Sequence, residues 1–376
     1  MITPASTAAK PAATSAVRVM VCDDSAVIRG AVARMLDADP DIQVVARVAN
    51  GQLALDQLKR VPLDVVVLDI EMPVMDGMTA LPLLLRADPA LKVVMASTLT
   101  TRGADIALRA LRLGAADYVP KPSAVTGDET FRRELVEKVK GLGRMRRRLT
   151  QPTQAPPGLH LRPPALVPPR LLAVGSSTGG PQALFTLVQG LGKTLNVPVV
   201  LTQHMPPTFT PILAEHISKL GGLPCAEAKA GETLSPGRIY LAPGGRHMLI
   251  DAARSGLQVR LTTDPPENFC RPSVDPMLRS AATACEGRVL VAMLTGMGQD
   301  GLTGTRRVIE AGGTALAQDE ATSVVWACLA RWRRPGCATR CCHCRGSPRN
   351  CLRCCGCRAH EPGAAIRYLR NLRDTA

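Results

Sequence analysis

Val17-Arg-Val-Met-Val-Cys-Asp-Asp-Ser-Ala-Val-Ile-Arg-Gly-Ala-Val-Ala-Arg-Met-Leu36 holds two different periods side by side. The run Val17–Cys22 is apolar and β-branched, the pattern of a buried strand. After Asp23-Asp24-Ser25, apolar residues recur through Ala26–Leu36 at helical spacing. The alternation continues outward, with strand-like runs at Val65–Leu68 and Val93–Met95 and an amphipathic segment at Phe131–Val139. About five strand–helix units predict a doubly wound α/β domain over 17–142. Residues 1–16 are Ala/Thr/Ser/Pro-rich and read as a disordered tail.

Past this domain come Arg144-Met-Arg-Arg-Arg148 and then Thr150–Pro169, which holds seven prolines. Such a stretch favours extended geometry, so 143–170 is expected to be a basic, Pro-rich linker. Strand-like runs resume at Leu171–Val174, Val197–Thr202, Arg238–Ala242, Val289–Leu294 and Thr314–Ala317. They predict a second doubly wound α/β domain over 171–326. Two domains agree with 376 residues at roughly 150 per domain.

The net charge of +15 invites a nucleic-acid reading, but its distribution argues against one. Residues from Cys328 onward carry eleven Arg, no Lys and two acids, which is +9 of the total, and nine of the thirteen Cys. Aromatics are 2% of the chain, too few for a row of base-stacking platforms. No apolar run approaches the roughly 18 residues of a membrane helix, and 1–16 lacks an export signal. The expectation is a cytoplasmic protein with neither nucleic acid nor membrane insertion.

Three strand ends of the first domain carry polar chemistry. Asp23-Asp24 follow the first strand, Asp69 ends Val65–Leu68, and Lys121 follows Tyr118-Val119. Carboxyl ends of parallel strands converge on one crevice. Clustered carboxylates repel unless a cation lies among them, and hard oxygen ligands suit Mg²⁺. With Cys22-Asp-Asp-Ser25, Leu68-Asp-Ile-Glu-Met-Pro73, Met75-Asp-Gly77, Ser97 and Lys121-Pro122, this region resembles the receiver domain of two-component response regulators. The resemblance implies phosphorylation of Asp69 by a chemotaxis histidine kinase. It also implies Mg²⁺ held by Asp24, Asp69 and the Glu71 carbonyl with Asp23 assisting through water, a switch through Ser97 and Lys121, and a cis Lys121–Pro122 bond.

In the second domain, Leu171-Leu-Ala-Val-Gly-Ser-Ser-Thr-Gly-Gly-Pro181 reads strand, tight turn, helix. Gly175-x-Ser177-x-Gly179 has the spacing of a nucleophile elbow. A serine needs a base, and of six histidines two are suitably placed: His204, just after a strand, and His247, after Pro243-Gly-Gly-Arg246. His160 falls in the linker, His216 on an amphipathic helix, and His343 and His360 in the final stretch. Asp300, after another buried strand, would supply the orienting acid of a serine–imidazole–carboxylate set; the competing reading is a helix-capping Ser177 and a core His204.

Together with Thr202-Gln-His-Met-Pro-Pro207, Arg271-Pro-Ser-Val-Asp275 and Leu294-Thr-Gly-Met-Gly-Gln-Asp-Gly301, these segments resemble the chemotaxis protein-glutamate methylesterases. The resemblance implies Ser177 as nucleophile, His204 as base, Asp300 as acid, and the Met297 amide in an oxyanion hole. Thr178 and 271–275 would line the cleft, and Cys270 stands where many relatives are expected to have histidine. The implied reaction hydrolyses glutamyl γ-methyl esters on methyl-accepting chemoreceptor cytoplasmic helices, releasing methanol, with no cofactor for the ester chemistry. Glutamine deamidation through the same acyl-enzyme is a further implied activity. Phosphorylation would relieve packing of the receiver over the cleft. The alternative is a non-catalytic response regulator acting as a binding or scaffold protein.

After Trp326 the chain turns Arg- and Cys-rich without apolar periodicity. Cys341-x-x-Cys344 and Cys351-x-x-Cys354 permit a zinc reading, though their six-residue spacer is short for one. A reading frame shifted by one base permits an apolar ending instead, so 327–376 is expected to be a frameshifted tail.

Overall fold

The computed structural model describes residues 16–121, 128–149, 167–191, 195–220, 222–296, 298–318, 322–325, 340–343 and 353–354. The first domain is built from β1 (Val17–Cys22), α1 (Ala26–Asp37), β2 (Ile42–Val48), α2 (Gly51–Leu58), β3 (Val65–Asp69), α3 (Gly77–Ala87), β4 (Lys92–Ser97), α4 (Thr101–Arg112), β5 (Asp117–Pro120) and α5 (Asp128–Leu149). Its parallel sheet has the order β2-β1-β3-β4-β5. Helices on both faces bury β3 completely, which is why Val65–Asp69 reads as an unbroken apolar run ending in an acid. Side-chain caps fix the entries: Ser25 accepts from the Ile28 amide, Asp76 from Thr79 and Thr100 from Gly103.

The expected linker start at 143 falls inside α5, which runs on to Leu149. The basic cluster has acids to meet. Arg144 pairs with Asp41 at 3.2 Å, Arg146 with Asp88 at 2.7 Å and Arg147 with the buried Asp64 at 3.0 Å. Leu142 is buried, and Gly143 abuts Val17 so closely that a Cβ there would lie 2.3 Å from Val17 Cγ1. The last turns of α5 are therefore part of the domain's core packing.

The second domain continues with β6 (Leu171–Ser176), α6 (Gly180–Leu191), β7 (Val199–Gln203), α7 (Thr210–Ser218), β8 (Cys225–Glu227), β9 (Ile239–Leu241), β10 (His247–Ala253) and β11 (Gly256–Thr262). It closes with α8 (Val274–Ala284), β12 (Val289–Met293), α9 (Leu302–Glu310), β13 (Thr314–Gln318), β14 (Arg340–His343) and β15 (Arg353–Cys354). The sheet order is β15-β14-β13-β12-β6-β7-β9-β8, and β10–β11 form a separate antiparallel hairpin. From β6 the chain winds first towards β7 and later returns to β12 on the other side. That reversal opens a crevice at the carboxyl ends of β6, β7 and β12, where ligands bind in such sheets.

The sheet does not stop at the expected boundary, Trp326. The backbone of β14 pairs in parallel with β13, Leu316 opposite Arg340, and β15 adds antiparallel to it. Residues 327–339 and 344–352, and the Cys341 and Cys354 side chains on which the zinc reading turns, lie outside the described residues. No helix among the described residues is long and apolar enough to cross a membrane.

The two domains meet through α4 and β5 of the first and α6 and α7 of the second. Tyr118 stacks on Phe209 with ring centroids 4.5 Å apart and an interplanar angle of 13°. Such a pair contributes about 0.5–1.5 kcal/mol beyond its buried area. His216 Nε2 lies 2.9 Å from Asp105 Oδ1, and Gln182 Nε2 donates to the Ala115 carbonyl. His216 is thus spent on the domain contact.

Candidate active site and acidic pocket

Ser177 follows β6 in a turn whose backbone is tied on both sides. Its amide donates to the Thr295 carbonyl at 3.0 Å, and its carbonyl accepts from Gly180 at 2.7 Å. Gly179 takes φ +71°, and a Cβ there would lie 2.3 Å from Val324 Cβ, so only glycine fits the turn. Gly296, on the neighbouring loop, leaves room for the serine, since a Cβ on it would come within 2.9 Å of Ser177 Cβ. Gln203, the last residue of β7, braces the elbow. Its Oε1 accepts from Ser176 Oγ at 2.6 Å, and its Nε2 donates to the Ser177 carbonyl at 2.9 Å.

His204, next after β7, brings Nδ1 to 3.1 Å from Ser177 Oγ and Nε2 to 2.7 Å from Asp300 Oδ2. An ionised carboxylate only accepts, so Nε2 carries the proton and Nδ1 keeps its lone pair for the serine. Asp300 is 4% exposed and heavily supported. It accepts from Ser273 Oγ at 2.6 Å, from the Val274, Asp275 and Gly301 amides at 2.6, 3.1 and 2.9 Å, and from Asn268 Nδ2 at 3.2 Å. Burial alone would raise this carboxyl. The hydrogen bond and charge of His204, with the Ser273 and Val274 donors, outweigh it and hold the group below the usual carboxylate range. Asp275 moves the other way, to about 6, because burial and the Asp300 charge outweigh its own donors.

His247 resolves against a base role. It is 2% exposed, Nε2 lies 3.1 Å from the Pro265 carbonyl, and Nδ1 accepts from the Ser273 amide. Both nitrogens are used in holding the segment that carries Ser273. Thr178 is buried, and its carbonyl accepts from Thr295 Oγ1 at 3.0 Å. Met297, the expected oxyanion donor, lies outside the described residues.

Cys270 adds a contact the sequence did not announce: its Sγ lies 3.3 Å from His204 Nδ1, the nitrogen that also faces Ser177. One lone pair therefore meets two potential donors. Burial pulls the imidazole down, but the Cys270 sulfur beside it and the Asp300 hydrogen bond outweigh it and lift His204 to about 10. Sequence reasoning also missed Asn268 and Gln203. Gln203 immediately precedes His204, and that adjacency was an available signal; Asn268 stands two residues before Cys270 and had none.

In the first domain Asp23, Asp24 and Asp69 offer carboxylate oxygens all within 4.8 Å of one another. Lys121 Nζ lies 2.7 Å from Asp69 Oδ2 and 3.2 Å from Asp23 Oδ2. Burial and the Asp23 charge keep Asp69 above its ordinary value despite Lys121, whose ammonium is in turn held up by the two acids against its own burial. Ser97 is 1% exposed, and its hydroxyl donates to backbone carbonyls of Thr98 and Gly103 at 3.1 and 3.2 Å. Glu71 lies beside the pocket, exposed, on a groove shared with Asp76, Arg102 and Arg109. Pro122 and the peptide bond that joins it to Lys121 fall outside the described residues.

Residues 172–344 match the family described as CheB methylesterase, and residues 19–127 match the response regulator receiver domain. A "Protein-glutamate methylesterase/protein-glutamine glutaminase 1" of Paramagnetospirillum magneticum is 52% identical over 84% of this chain and 90% of that protein. A "Protein-glutamate methylesterase/protein-glutamine glutaminase of group 2 operon" of Rhodospirillum centenum is 54% identical over 82% of this chain and 86% of that protein. The crystal structure of the Thermotoga maritima CheB methylesterase catalytic domain is 36% identical, covering 46% of this chain and 93% of that one, with a TM-score of 0.45.

Proposed function

The chain belongs to the CheB methylesterase family, with a response-regulator receiver domain in front, and from this premise we propose that Ser177, His204 and Asp300 carry its catalysis. It is a hydrolase of chemotaxis, a protein-glutamate methylesterase/glutaminase under receiver control, and the non-catalytic reading is not favoured. The observation that carries the site assignment is the continuous relay Ser177 Oγ–His204–Asp300, at 3.1 and 2.7 Å, across the ends of three adjacent strands.

Ser177 attacks the γ-carbonyl of a methylated receptor glutamate while His204 Nδ1 takes its proton. The same imidazolium returns the proton to the departing methanol. Water then enters through His204 and frees the carboxylate. A glutamine side chain reaches the same acyl-enzyme with ammonia as leaving group. Asp300 steadies the imidazolium as charge develops, and the Met297 amide is the assigned oxyanion donor.

The substrates fit methyl-accepting chemoreceptor cytoplasmic helices, the phosphodonor a chemotaxis histidine kinase, and the location the cytoplasm. In the receiver, three hard carboxylates against one lysine match Mg²⁺, which Asp23, Asp24, Asp69 and the Glu71 carbonyl would hold. Bound there, the ion would supply positive charge against the incoming phosphoryl group. Asp69 accepts that group, Lys121 pairs with it, and Ser97 turns from its backbone partners towards it.

Asp69→Asn should abolish labelling by a small radioactive phosphodonor in the presence of Mg²⁺. Labelling that persists assigns the phosphoacceptor elsewhere. Cys270→Ala tests the electrostatics of the base. The reaction needs neutral imidazole, so the rate rises as pH passes through the His204 pKa. Removing the sulfur takes away a contribution that raises this pKa, so the acid limb of kcat/KM should move to lower pH. A limb that stays in place, or moves up, refutes the role given to Cys270.

A further inference from the structure

Between the hairpin β10–β11 and α8, Glu267 and Cys270 close a two-residue turn: the Glu267 amide donates to the Cys270 carbonyl at 3.2 Å, and the Cys270 amide to the Glu267 carbonyl at 3.0 Å. The two residues at its tip, Asn268 and Phe269, have φ of +53° and +64°. Asparagine tolerates that region. Phenylalanine at the second position does not, because a turn of this hand calls for glycine there. A bulky residue held in a disfavoured conformation points to a function.

The surroundings say which one. The Phe269 ring is 81% exposed, yet the Arg133 guanidinium, from α5 of the receiver, lies 4.2 Å from its centroid. On one side of Phe269, Asn268 Nδ2 bridges two buried carboxylates, Asp275 Oδ2 at 3.0 Å and the triad acid Asp300 Oδ1 at 3.2 Å. On the other side, Cys270 Sγ reaches the triad base at 3.3 Å. Glu267 is anchored to Arg279 of α8 by two contacts of 2.5 and 2.8 Å, so the first corner of the turn is fixed while its tip is exposed.

We propose that Asn268, Phe269 and Cys270 are positioning residues through which the receiver sets the geometry of the catalytic triad. The inference rests on the triad and on receiver control as read above, and it adds to covering of the cleft a second effect inside it. With Arg133 on Phe269, the strained turn is held with the Cys270 thiol at His204 Nδ1, where it competes with Ser177 for one lone pair. When the receiver moves away, the ring is released and the backbone at Phe269 can relax. The thiol then withdraws and leaves the imidazole to the serine. Asn268, on the same turn, shifts its hold on Asp300 at the same time.

Covering and uncovering the cleft scales the reactivity of a thiol equally at every pH, whereas loss of the His204 contact changes the pH at which it reacts. The test uses the full chain as Ser177→Ala, so that turnover plays no part. The pH midpoint of Cys270 alkylation by iodoacetamide is followed by mass spectrometry of its peptide, with and without Mg²⁺ and acetyl phosphate. While the contact holds, Nδ1 can take the thiol's proton, so loss of the contact on phosphorylation should move the midpoint to higher pH. In Arg133→Ala the midpoint should already be high and unmoved by the phosphodonor. In Phe269→Gly, where glycine keeps the turn without strain or ring, it should stay low in both states. A midpoint that does not move in the parent chain, or that moves as far in Phe269→Gly, overturns the proposal. Methanol release that survives Ser177→Ala instead overturns the serine reading beneath it.

Discussion

Ser177→Ala is expected to stop methanol release, with kcat falling about 10⁴- to 10⁶-fold, because without the hydroxyl no acyl-enzyme forms. The side chain does little else: among the described residues its oxygen meets only His204, while the amide and carbonyl that shape the elbow are backbone groups. The variant should therefore fold as the parent does and bind methylated receptors undiminished. The measurement is methanol release from methylated chemoreceptor membranes, alongside a melting curve. A fully folded Ser177→Ala chain that still releases methanol would mean another nucleophile. Cys270, 3.3 Å from the same nitrogen, is the first place to look.

Asp300→Asn should cost about 10⁴-fold in kcat with little change in KM. An amide can offer its N–H to Nε2, which flips the imidazole into the tautomer with its proton on Nδ1 and its lone pair turned from Ser177. The substitution also leaves Ser273 Oγ and the Val274, Asp275 and Gly301 amides pointing at a neutral group where they now meet an anion. Some loss of stability is expected with it, since these are charge-assisted bonds in a buried site. The readouts separate the two effects: a rate loss far larger than the fall in folded fraction belongs to the tautomer. A loss of less than about tenfold would place the orienting acid elsewhere. Asp275, its nearest carboxylate neighbour through Asn268, would then be the substitute.

Much of the fold was legible because the central strands of both large sheets are parallel and buried. Runs such as Val65–Leu68 and Val289–Met293 announce strands without needing context, and the polar residues at their ends announce a crevice. The short strand β8 and the hairpin β10–β11 were not read. Cys225–Glu227 is three residues long, and in the hairpin the large apolar residues stop after Met248–Ile250 or alternate with polar ones through β11. The end of α5 was misread for a different reason: its arginines look like linker when considered alone, and their acids at Asp41, Asp64 and Asp88 are distant in sequence.

The residues of the proposed triad stand one per strand end in the sequence, but the choice between His204 and His247 was not visible there. Spacing favoured neither decisively; what separates them is that both nitrogens of His247 are engaged by backbone. The contacts of Cys270 and Asn268 with the triad depend on a turn between two left-handed residues, a conformation no periodicity encodes for a phenylalanine. Function at that turn became visible only as geometry.

Receiver-controlled ester hydrolysis at Ser177 is tested most directly by methanol release from methylated chemoreceptor membranes. The full chain is assayed with Mg²⁺, before and after addition of acetyl phosphate, beside Asp69→Asn and Ser177→Ala. The expected result is release that rises on addition of the phosphodonor, stays at the unstimulated rate in Asp69→Asn, and vanishes in Ser177→Ala. Stimulation that persists undiminished in Asp69→Asn, or release that survives in Ser177→Ala, contradicts it.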